Sequence, residues 1–375
     1  MLVVGVIGIY QIEKVEAQST NSSSVSELTS KANSLLDLGR YEEAIIWYDK
    51  ALEVDPKYIK ALANKGAALS NLGRHEEAIT WYDKALEVDP KNIDALNNKG
   101  VTVNKLGKHV EAIGWYDKVL EVDPKNAGAL VNKGNALNDL SRYEEAITWY
   151  DKVLDIDPQY VKALYNKGIA LNELGRHEEA ITWYDKALEI DPSFTTALNN
   201  KGIALEDLGR YEEAITWYDK ALEVDAEYVS ALTNKGIALE NLGRHEEAIT
   251  SYDKALAVDP NTIIALYGKG TALYYLGKYE EAIAMYDKVL EIGPKYKDAL
   301  NNKGAALSNI GRYDEALIWY DKVLEIDPKA IDALINKGLT LDELGNKDAI
   351  TWIDKALTID PTNQIILDLK LQMQD

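Results

Sequence analysis

Apolar residues recur along most of the chain at intervals of three and four, and the whole pattern returns every 34 residues. That spacing places the apolar residues on one face of a helix, and the strict alternation typical of a strand persists nowhere. A period of this length predicts stacked units that bury their apolar faces against their neighbours rather than around one globular core. We number the positions within this unit from 1 to 34.

Ten copies of the unit fit this numbering, and the last is one residue short because its turn reads Gly-Asn-Lys-Asp. The predicted copies 1 to 10 span residues 25–58, 59–92, 93–126, 127–160, 161–194, 195–228, 229–262, 263–296, 297–330 and 331–363. The chain length alone would suggest two or three globular domains, but the period predicts one elongated array instead. Residues 364–375 predict a further helix that caps the exposed end of the array.

Each unit predicts two helices joined by a tight turn. In copy 6, Leu198, Gly202 and Leu205 form an apolar stripe on the first helix. Gly209 then ends this helix, because glycine adopts the left-handed conformation without strain. The second helix presents Tyr218 on its inward stripe and ends in most copies at Asp-Pro, since proline disfavours a helical conformation in the residue before it.

Five positions are nearly constant and predict how the helices pack. Position 20 is alanine in every copy and position 8 is glycine in nine, so we expect a close approach of the two helices, with tyrosine at position 24 filling the space beside them. Lysine at position 7 and aspartate at position 25 are present in all ten copies. We expect the lysine to pack its stem and to pair its ammonium with that aspartate.

These features resemble the tetratricopeptide repeat. In copy 2 the matching residues are Gly66, Ala78, Tyr82, Ala85 and Pro90. The resemblance covers residues 25–363, and it departs from the family pattern in Leu62, where tryptophan is frequent, and in the lysine at position 7. It implies an all-α fold, an α-α superhelix of ten helix-turn-helix repeats wound right-handed, that binds other proteins along its concave surface without catalysis.

Composition narrows the class of partner. The net charge of −21 and the pI near 4.7 argue against nucleic acid, because a phosphate backbone needs a basic surface. An RNA-reading helical repeat is therefore disfavoured, and basic or neutral peptides and proteins are favoured. The absence of cysteine from the sequence excludes disulfides and thiolate metal sites.

No catalytic or cofactor motif stands out in the sequence. The four histidines all occupy position 17, where tyrosine stands in five other copies, so we interpret them as turn residues rather than metal ligands. A phosphate-binding loop, a dinucleotide fingerprint and a nucleophile elbow are all missing from the sequence. We therefore expect no enzyme activity, no cofactor and no small-molecule substrate.

Asparagine at position 6 is the principal candidate for peptide binding. A carboxamide has both a donor and an acceptor, so a row of them can bond an extended peptide main chain irrespective of its side chains. Copy 8 breaks the row with Gly268. The alternative is that each asparagine bonds a neighbouring helix. The candidate residues are Asn64, Asn98, Asn132, Asn166, Asn200, Asn234, Asn302 and Asn336.

Positions 2, 5, 9, 12 and 13 vary between copies, and the family resemblance places them on the concave surface. Tyrosines there are candidate binding anchors, namely Tyr165, Tyr267, Tyr274 and Tyr275. Glu206 and Glu240 are candidates for attracting basic side chains. A solvated polar face that happens to vary is the alternative. The tryptophans at position 23 could form a binding strip, but packing between helices is the favoured interpretation.

The segment before the repeats is compatible with more than one cellular location. Leu2 to Tyr10 is an apolar run with the length of a signal-peptide core, although no lysine or arginine precedes it. Export or membrane association is one interpretation and a cytoplasmic protein is the other. The Asn21-Ser22-Ser23 glycosylation pattern matters only for an exported protein.

The sequence thus predicts a non-catalytic scaffold that binds peptides or partner proteins in the groove of a repeat superhelix. An architectural protein that assembles through stacked repeats is the alternative, since near-identical copies make end-to-end stacking feasible.

Overall fold

The computed structural model describes residues 24–373, and all regular structure in this range is helical. Contacts group these residues into two compact units, 24–190 and 191–373, which are described separately. The apolar run at 2–10 and the glycosylation pattern at 21–23 lie outside the described residues. No helix between residues 24 and 373 combines the length and the apolar content needed to cross a membrane.

The first unit contains ten helices that alternate between the first and second helices of copies 1 to 5. They are α1 (Val25–Asp37), α2 (Tyr41–Val54), α3 (Ile59–Asn71), α4 (His75–Val88), α5 (Ile93–Lys105), α6 (His109–Val122), α7 (Ala127–Asp139), α8 (Tyr143–Ile156), α9 (Val161–Glu173) and α10 (His177–Ile190).

The second unit continues the same alternation through copies 6 to 10 and adds one terminal helix. Its helices are α11 (Thr195–Asp207), α12 (Tyr211–Val224), α13 (Val229–Asn241), α14 (His245–Val258), α15 (Ile263–Tyr275), α16 (Tyr279–Ile292), α17 (Lys297–Asn309), α18 (Tyr313–Ile326), α19 (Ile331–Glu343), α20 (Ala349–Ile359) and α21 (Gln364–Gln372). The all-α prediction and the paired-helix prediction are both confirmed.

The turn between paired helices depends on a left-handed residue at position 15. In copy 5, Gly175 has φ of +73°, and the N–H of Arg176 donates to the carbonyl of Leu171 at 2.9 Å. This bond satisfies a carbonyl at the helix end that has no partner within the helix. Copy 4 is the exception, because Ser141 holds φ of +57° at the same position.

The second helices end as the sequence predicts. Asp55 follows α2 in an extended conformation, and its carboxylate accepts the N–H of Lys57 at 3.0 Å. This short turn directs the chain into the next first helix. After most other second helices, the residue that follows the helix accepts the same bond from the N–H two residues later, for example Asp89 from Lys91.

Glycine at position 8 admits the tyrosine ring of position 24. A Cβ atom on Gly66 would lie 2.6 Å from Cε1 of Tyr82, and one on Gly202 would overlap the ring of Tyr218. Real Cβ atoms do not approach other atoms this closely, so the ring lies directly on the backbone of the first helix. Copy 1 instead has Ala32 beside Tyr48, and both are fully buried.

Lysine at position 7 forms the joint between successive copies. Lys65 pairs with Asp49 of the preceding copy, and its Nζ lies 3.7 Å from the ring centroid of Trp81. Lys84 lies 3.7 Å from the same centroid, and two ammonium groups this close to one centroid must cover opposite faces of the ring. The predicted lysine–aspartate pairing is therefore confirmed, and the pair spans two copies.

The same contacts define the role of tryptophan at position 23. Each of the eight tryptophans is partly buried, with a lysine ammonium over its ring from both position 7 and position 26. Copies 7 and 8 have Ser251 and Met285 instead. There the position 7 lysines, Lys235 and Lys269, are 25% and 21% exposed, against 9% for Lys65. Burial of the lysine thus depends on the indole.

Within each unit, successive first helices contact one another, whereas successive second helices do not reach comparable contact among the described residues. The first helices therefore line the inner side of each unit. We use "inner face" for positions 2, 5, 6, 9, 12 and 13 of the first helices.

The terminal helix α21 repeats the packing of a first helix. Ile366 is fully buried, and Lys370 pairs with Asp354 at 2.7 Å, as position 7 pairs with position 25 elsewhere. Ile365 and Leu371 remain 71% and 62% exposed. The helix covers copy 10 with one face and leaves the other in solvent.

We expect Gly202→Leu to lower the free energy of unfolding by roughly 1–3 kcal/mol, because the new side chain overlaps Tyr218. Gly202→Ala is the matched control, and its loss should be smaller because copy 1 accommodates Ala32 at this position. Denaturation by guanidinium measures both. An unchanged midpoint for the leucine variant would contradict the packing described above.

Replacing Ser141 by glycine should raise the free energy of unfolding by about 0.5–1 kcal/mol, because glycine relieves left-handed strain and loses part of the gain to unfolded-chain entropy. Gly175→Ser is the reverse experiment. No atom lies within 4 Å of a Cβ placed on Gly175, so only the backbone conformation is tested. The two substitutions should shift the denaturation midpoint in opposite directions.

Candidate functional site

The tyrosine at position 24 carries a hydroxyl group to the inner face. Its ring crosses the first helix at the small residue of position 8, which is glycine in nine copies and Ala32 in copy 1, so the hydroxyl emerges beside positions 9 and 12. Tyr48 donates to Asn33 at 2.7 Å, and Tyr150 donates to Asn135 at 2.9 Å. In the second unit Tyr218 and Tyr252 donate to carboxylates at position 12. A belt of polar groups therefore follows the inner face.

The position 6 asparagines join this belt through their amide groups. Six of them donate an N–H to the preceding copy over 2.7 to 3.1 Å. The donor–acceptor pairs are Asn64–Asn33, Asn132–Asn97, Asn166–Asn135, Asn234–Asn199, Asn302–Tyr267 and Asn336–Asn301. Asn98 and Asn200 are half-buried at the same position. One amide N–H of each paired asparagine thus holds neighbouring helices together, and peptide contact by the rest of the group stays a prediction.

The amides of three copies converge on one pocket in the first unit. It has a volume of about 320 Å³ and is lined by Asn104, Asn135, Asn138, Asp139, Tyr150, Asn166 and Ile169. Asn135 accepts from both Tyr150 and Asn166, at 2.9 and 2.7 Å. The Oδ1 of Asn138 is buried and has no partner among the described residues. The pocket offers donors and acceptors around a single carboxylate.

Position 5 is more enclosed than the sequence suggested. Tyr165 and Tyr267 are half-buried, and five other residues at this position are buried, namely Thr29, Ala63, Val131, Asn199 and Thr233. The expectation that this position lies open on the groove is corrected, because the next first helix approaches closely enough to cover it. The Tyr267 ring packs 5.4 Å from Tyr296, and its hydroxyl accepts the amide of Asn302.

The other two candidate tyrosines lie side by side at the end of α15. Tyr275 is 67% exposed and stacks on the ring of His245 with centroids 5.2 Å apart. Tyr274 is half-buried, meets Tyr275 edge to face, and accepts the amide of Asn309 at 3.0 Å. Of these two, Tyr275 presents an accessible aromatic ring.

Glu206 and Glu240 are half-buried carboxyl groups rather than open anions. Tyr218 donates to Glu206 at 2.9 Å and Tyr252 donates to Glu240 at 2.7 Å. Burial raises the pKa of both carboxyl groups, and that of Glu240 reaches about 7. The second oxygen of Glu240 is buried without a partner among the described residues. Burial therefore favours the protonated form of Glu240 at pH values where an exposed glutamate is ionised.

Histidines at position 17 serve the turn in two copies. Nδ1 of His109 lies 2.8 Å from Oδ1 of Asn104, and His177 and Asn172 repeat this contact at 2.8 Å. Across residues 24–373, no group of three or more histidine, aspartate and glutamate side chains is arranged to hold a metal ion.

Sequence reasoning missed the polar belt as a unit. The sequence analysis placed the tyrosine of repeat position 24 in the core and repeat positions 9 and 12 in the groove, without linking them. The available signal was asparagine at position 9 of copies 1 and 4. The structure shows that this side chain accepts a hydrogen bond from the constant tyrosine.

Comparison with protein families identifies the repeat. Profiles described as tetratricopeptide repeat match residues 59–92, 93–126, 125–193, 193–261, 227–295, 267–331 and 331–363, and one described as TPR repeat matches 32–73. The matches together cover nearly all of the described chain. The chain belongs to the tetratricopeptide repeat family, whose members typically mediate protein–protein interactions. The comparison with curated proteins finds no match.

Two solved structures with TM-scores above 0.5 share the fold. A tetratricopeptide repeat protein from Parabacteroides merdae is 21% identical, with 66% of this chain and 98% of that chain covered and a TM-score of 0.54. The Cut9–Hcn1 hetero-tetramer of the APC/C contains a chain that is 17% identical, with coverage of 94% and 76% and the same TM-score. YrrB, described as a TPR protein with an unusual peptide-binding site, is 26% identical, with coverage of 50% and 97% and a TM-score of 0.42.

Glu240 should make stability depend on pH. Because its folded-state pKa is raised to about 7, the folded protein holds a proton that the unfolded chain releases near pH 4.5. Stability is therefore lost as the pH rises from about 4.5 to 7. Glu240→Gln removes this loss, so the variant should gain about 1–2 kcal/mol over wild type at pH 8, after a discount for partial exposure.

The gain should shrink toward zero at pH 4.5, and paired denaturation curves at both pH values measure it. Glu343→Gln is the matched control, because this side chain is exposed and belongs to the same unit. An equal gain at both pH values would show that Glu240 does not bind the proton.

Proposed function

We propose that this protein is a non-catalytic scaffold that binds peptide segments or partner proteins along the inner faces of its repeats. The pocket lined by asparagines in the first unit carries the proposal. Membership of a family that typically mediates protein–protein interactions supports it.

The pocket suits a peptide main chain. Carboxamides match both the N–H and the C=O of a peptide unit, and they need no particular side chain in the partner. Asn138 supplies an acceptor that has no partner among the described residues. A donor from a bound peptide would satisfy this oxygen, which otherwise costs desolvation free energy.

The internal bonds of the belt prepare the site for binding. Asn135 accepts from both Tyr150 and Asn166, which fixes the orientation of all three side chains. Side chains held in place before binding lose less conformational entropy when a partner arrives. The structural role of position 6 and its proposed role in binding are therefore compatible. The bond to the neighbouring helix uses one N–H of the carboxamide, and the other N–H and the carbonyl oxygen can still bond a peptide.

The test selects peptides from a displayed random library against the full chain, followed by affinity measurements on the Asn138→Ala, Asn166→Ala double variant. We expect affinity to fall about ten- to thirtyfold, because two hydrogen bonds of roughly 1 kcal/mol each are removed. Gln159→Ala is the matched control, since it deletes an exposed carboxamide in a loop of the same unit.

Circular dichroism confirms that the variants keep their helices. The proposal is wrong if the library yields no binder, or if selected peptides bind the double variant as tightly as the wild type.

A further inference from the structure

The inner faces of the two units differ in charge. In the second unit, the inner face of copies 6 to 10 carries acidic residues but no lysine, arginine or histidine. The acidic residues are Glu206, Asp207, Glu240, Asp298, Asp332, Asp342 and Glu343. In the first unit, the same positions of copies 1 to 5 mix both signs, with acids Asp37, Asp94, Asp139 and Glu173 and bases Lys60, Lys105 and Lys162.

Five of the acids in the second unit are exposed on the surface, namely Asp207, Asp298, Asp332, Asp342 and Glu343, and the last four lie in copies 9 and 10. Asp298 and Asp332 line a crevice of about 210 Å³ between copies 9 and 10. The cation that also lines it, Lys297, is paired with Asp327 at 2.9 Å. These carboxylates therefore face solvent with little neutralisation from the crevice itself.

Several other cations near this face are paired with carboxylates outside the inner face. Lys303 and Lys337 pair with Asp287 and Asp321 at the joints between copies. Arg312, at the turn, forms two bonds to Glu315 at 2.6 and 2.5 Å. Lys347, at the last turn, lines a pocket with Asp342 and offsets part of the charge there, whereas the charge of Asp298 and Asp332 is not balanced from the crevice that they line.

The middle of the same face offers aromatic and polar contacts. The exposed ring of Tyr275 lies in copy 8, between the acidic positions of copies 6 and 7 and those of copies 9 and 10. Two buried hydroxyl groups at this level, of Thr233 and Tyr286, have no hydrogen-bond partner among the described residues. Tyr286 lies against Gly270, as the position 24 tyrosines do elsewhere, so its hydroxyl is directed toward the inner face.

We infer that the inner face of the second unit binds a peptide segment rich in lysine or arginine, whereas that of the first unit binds without selecting charge. The inference rests on the proposed function and names the partner's chemistry. Exposed carboxylates pair with the basic side chains, and the Tyr275 ring accepts a cation over its face. Single pairs of this kind are weak, so selection comes from several of them in one row.

The experiment uses the full chain and two labelled synthetic peptides of equal length, one with regularly spaced arginines and one with glutamine in their place. Wild type should bind the arginine peptide at least about tenfold more tightly at low salt, and added salt should reduce the difference. The inner variant combines Asp298→Asn, Asp332→Asn, Asp342→Asn and Glu343→Gln. It should lose most of this preference.

The matched control neutralises four exposed acids outside the inner face of the same unit, through Glu223→Gln, Glu227→Gln, Glu291→Gln and Glu325→Gln. Both variants change net charge equally, so the control should keep the preference. An equal loss in both would show attraction by overall charge and overturn the inference. Equal binding of the two peptides by wild type would also overturn it.

Failure here is distinguishable from failure of the proposed function. If library peptides still depend on Asn138 and Asn166 while arginine gives no advantage, only the charge selection is wrong. If the second unit prefers arginine but those asparagines do not matter, the amide pocket is wrong.

Discussion

The contact between tyrosine at position 24 and glycine at position 8 connects the fold to the candidate site. Without a Cβ atom on Gly66, the ring of Tyr82 lies on the helix backbone and fills the core between the paired helices. The same placement at Gly134 brings the hydroxyl of Tyr150 to the inner face, where it bonds Asn135. A change at glycine would therefore disturb both the packing of a copy and the polar belt above it.

A second contact, at the joint, sets how copies follow one another. Lysine at position 7 is held between an aspartate of the preceding copy and the indole of its own, as Lys337 is by Asp321 and Trp352. Since each copy touches mainly its neighbours, stability is a sum of copy and joint terms. Copies 7 and 8, which lack the indole and have more exposed lysines, have the weaker joints. The departures in sequence at Gly268 and Tyr275 fall in copy 8.

The fold was predictable because the period, the glycine turn and the Asp-Pro stop are all local signals. The partner of the position 7 lysine was also predictable, since both residues are constant. The burial of Thr233 at position 5 was not, nor was the bond between Glu240 and Tyr252. These depend on the rotation between successive copies and on the depth of each side chain, which a periodic pattern in one dimension does not encode.

Constancy at the packing positions leaves the inner face as the place where copies can differ without cost to the joints. Asparagine at position 6 shows how one residue can serve both packing and binding. One amide N–H of Asn166 bonds Asn135 of the preceding copy, and the side chain also lines the pocket. Each copy contributes one or two polar groups, and none contributes enough to bind alone. Recognition by such a surface must therefore come from a partner long enough to contact several copies at once, which favours an extended segment over a small molecule.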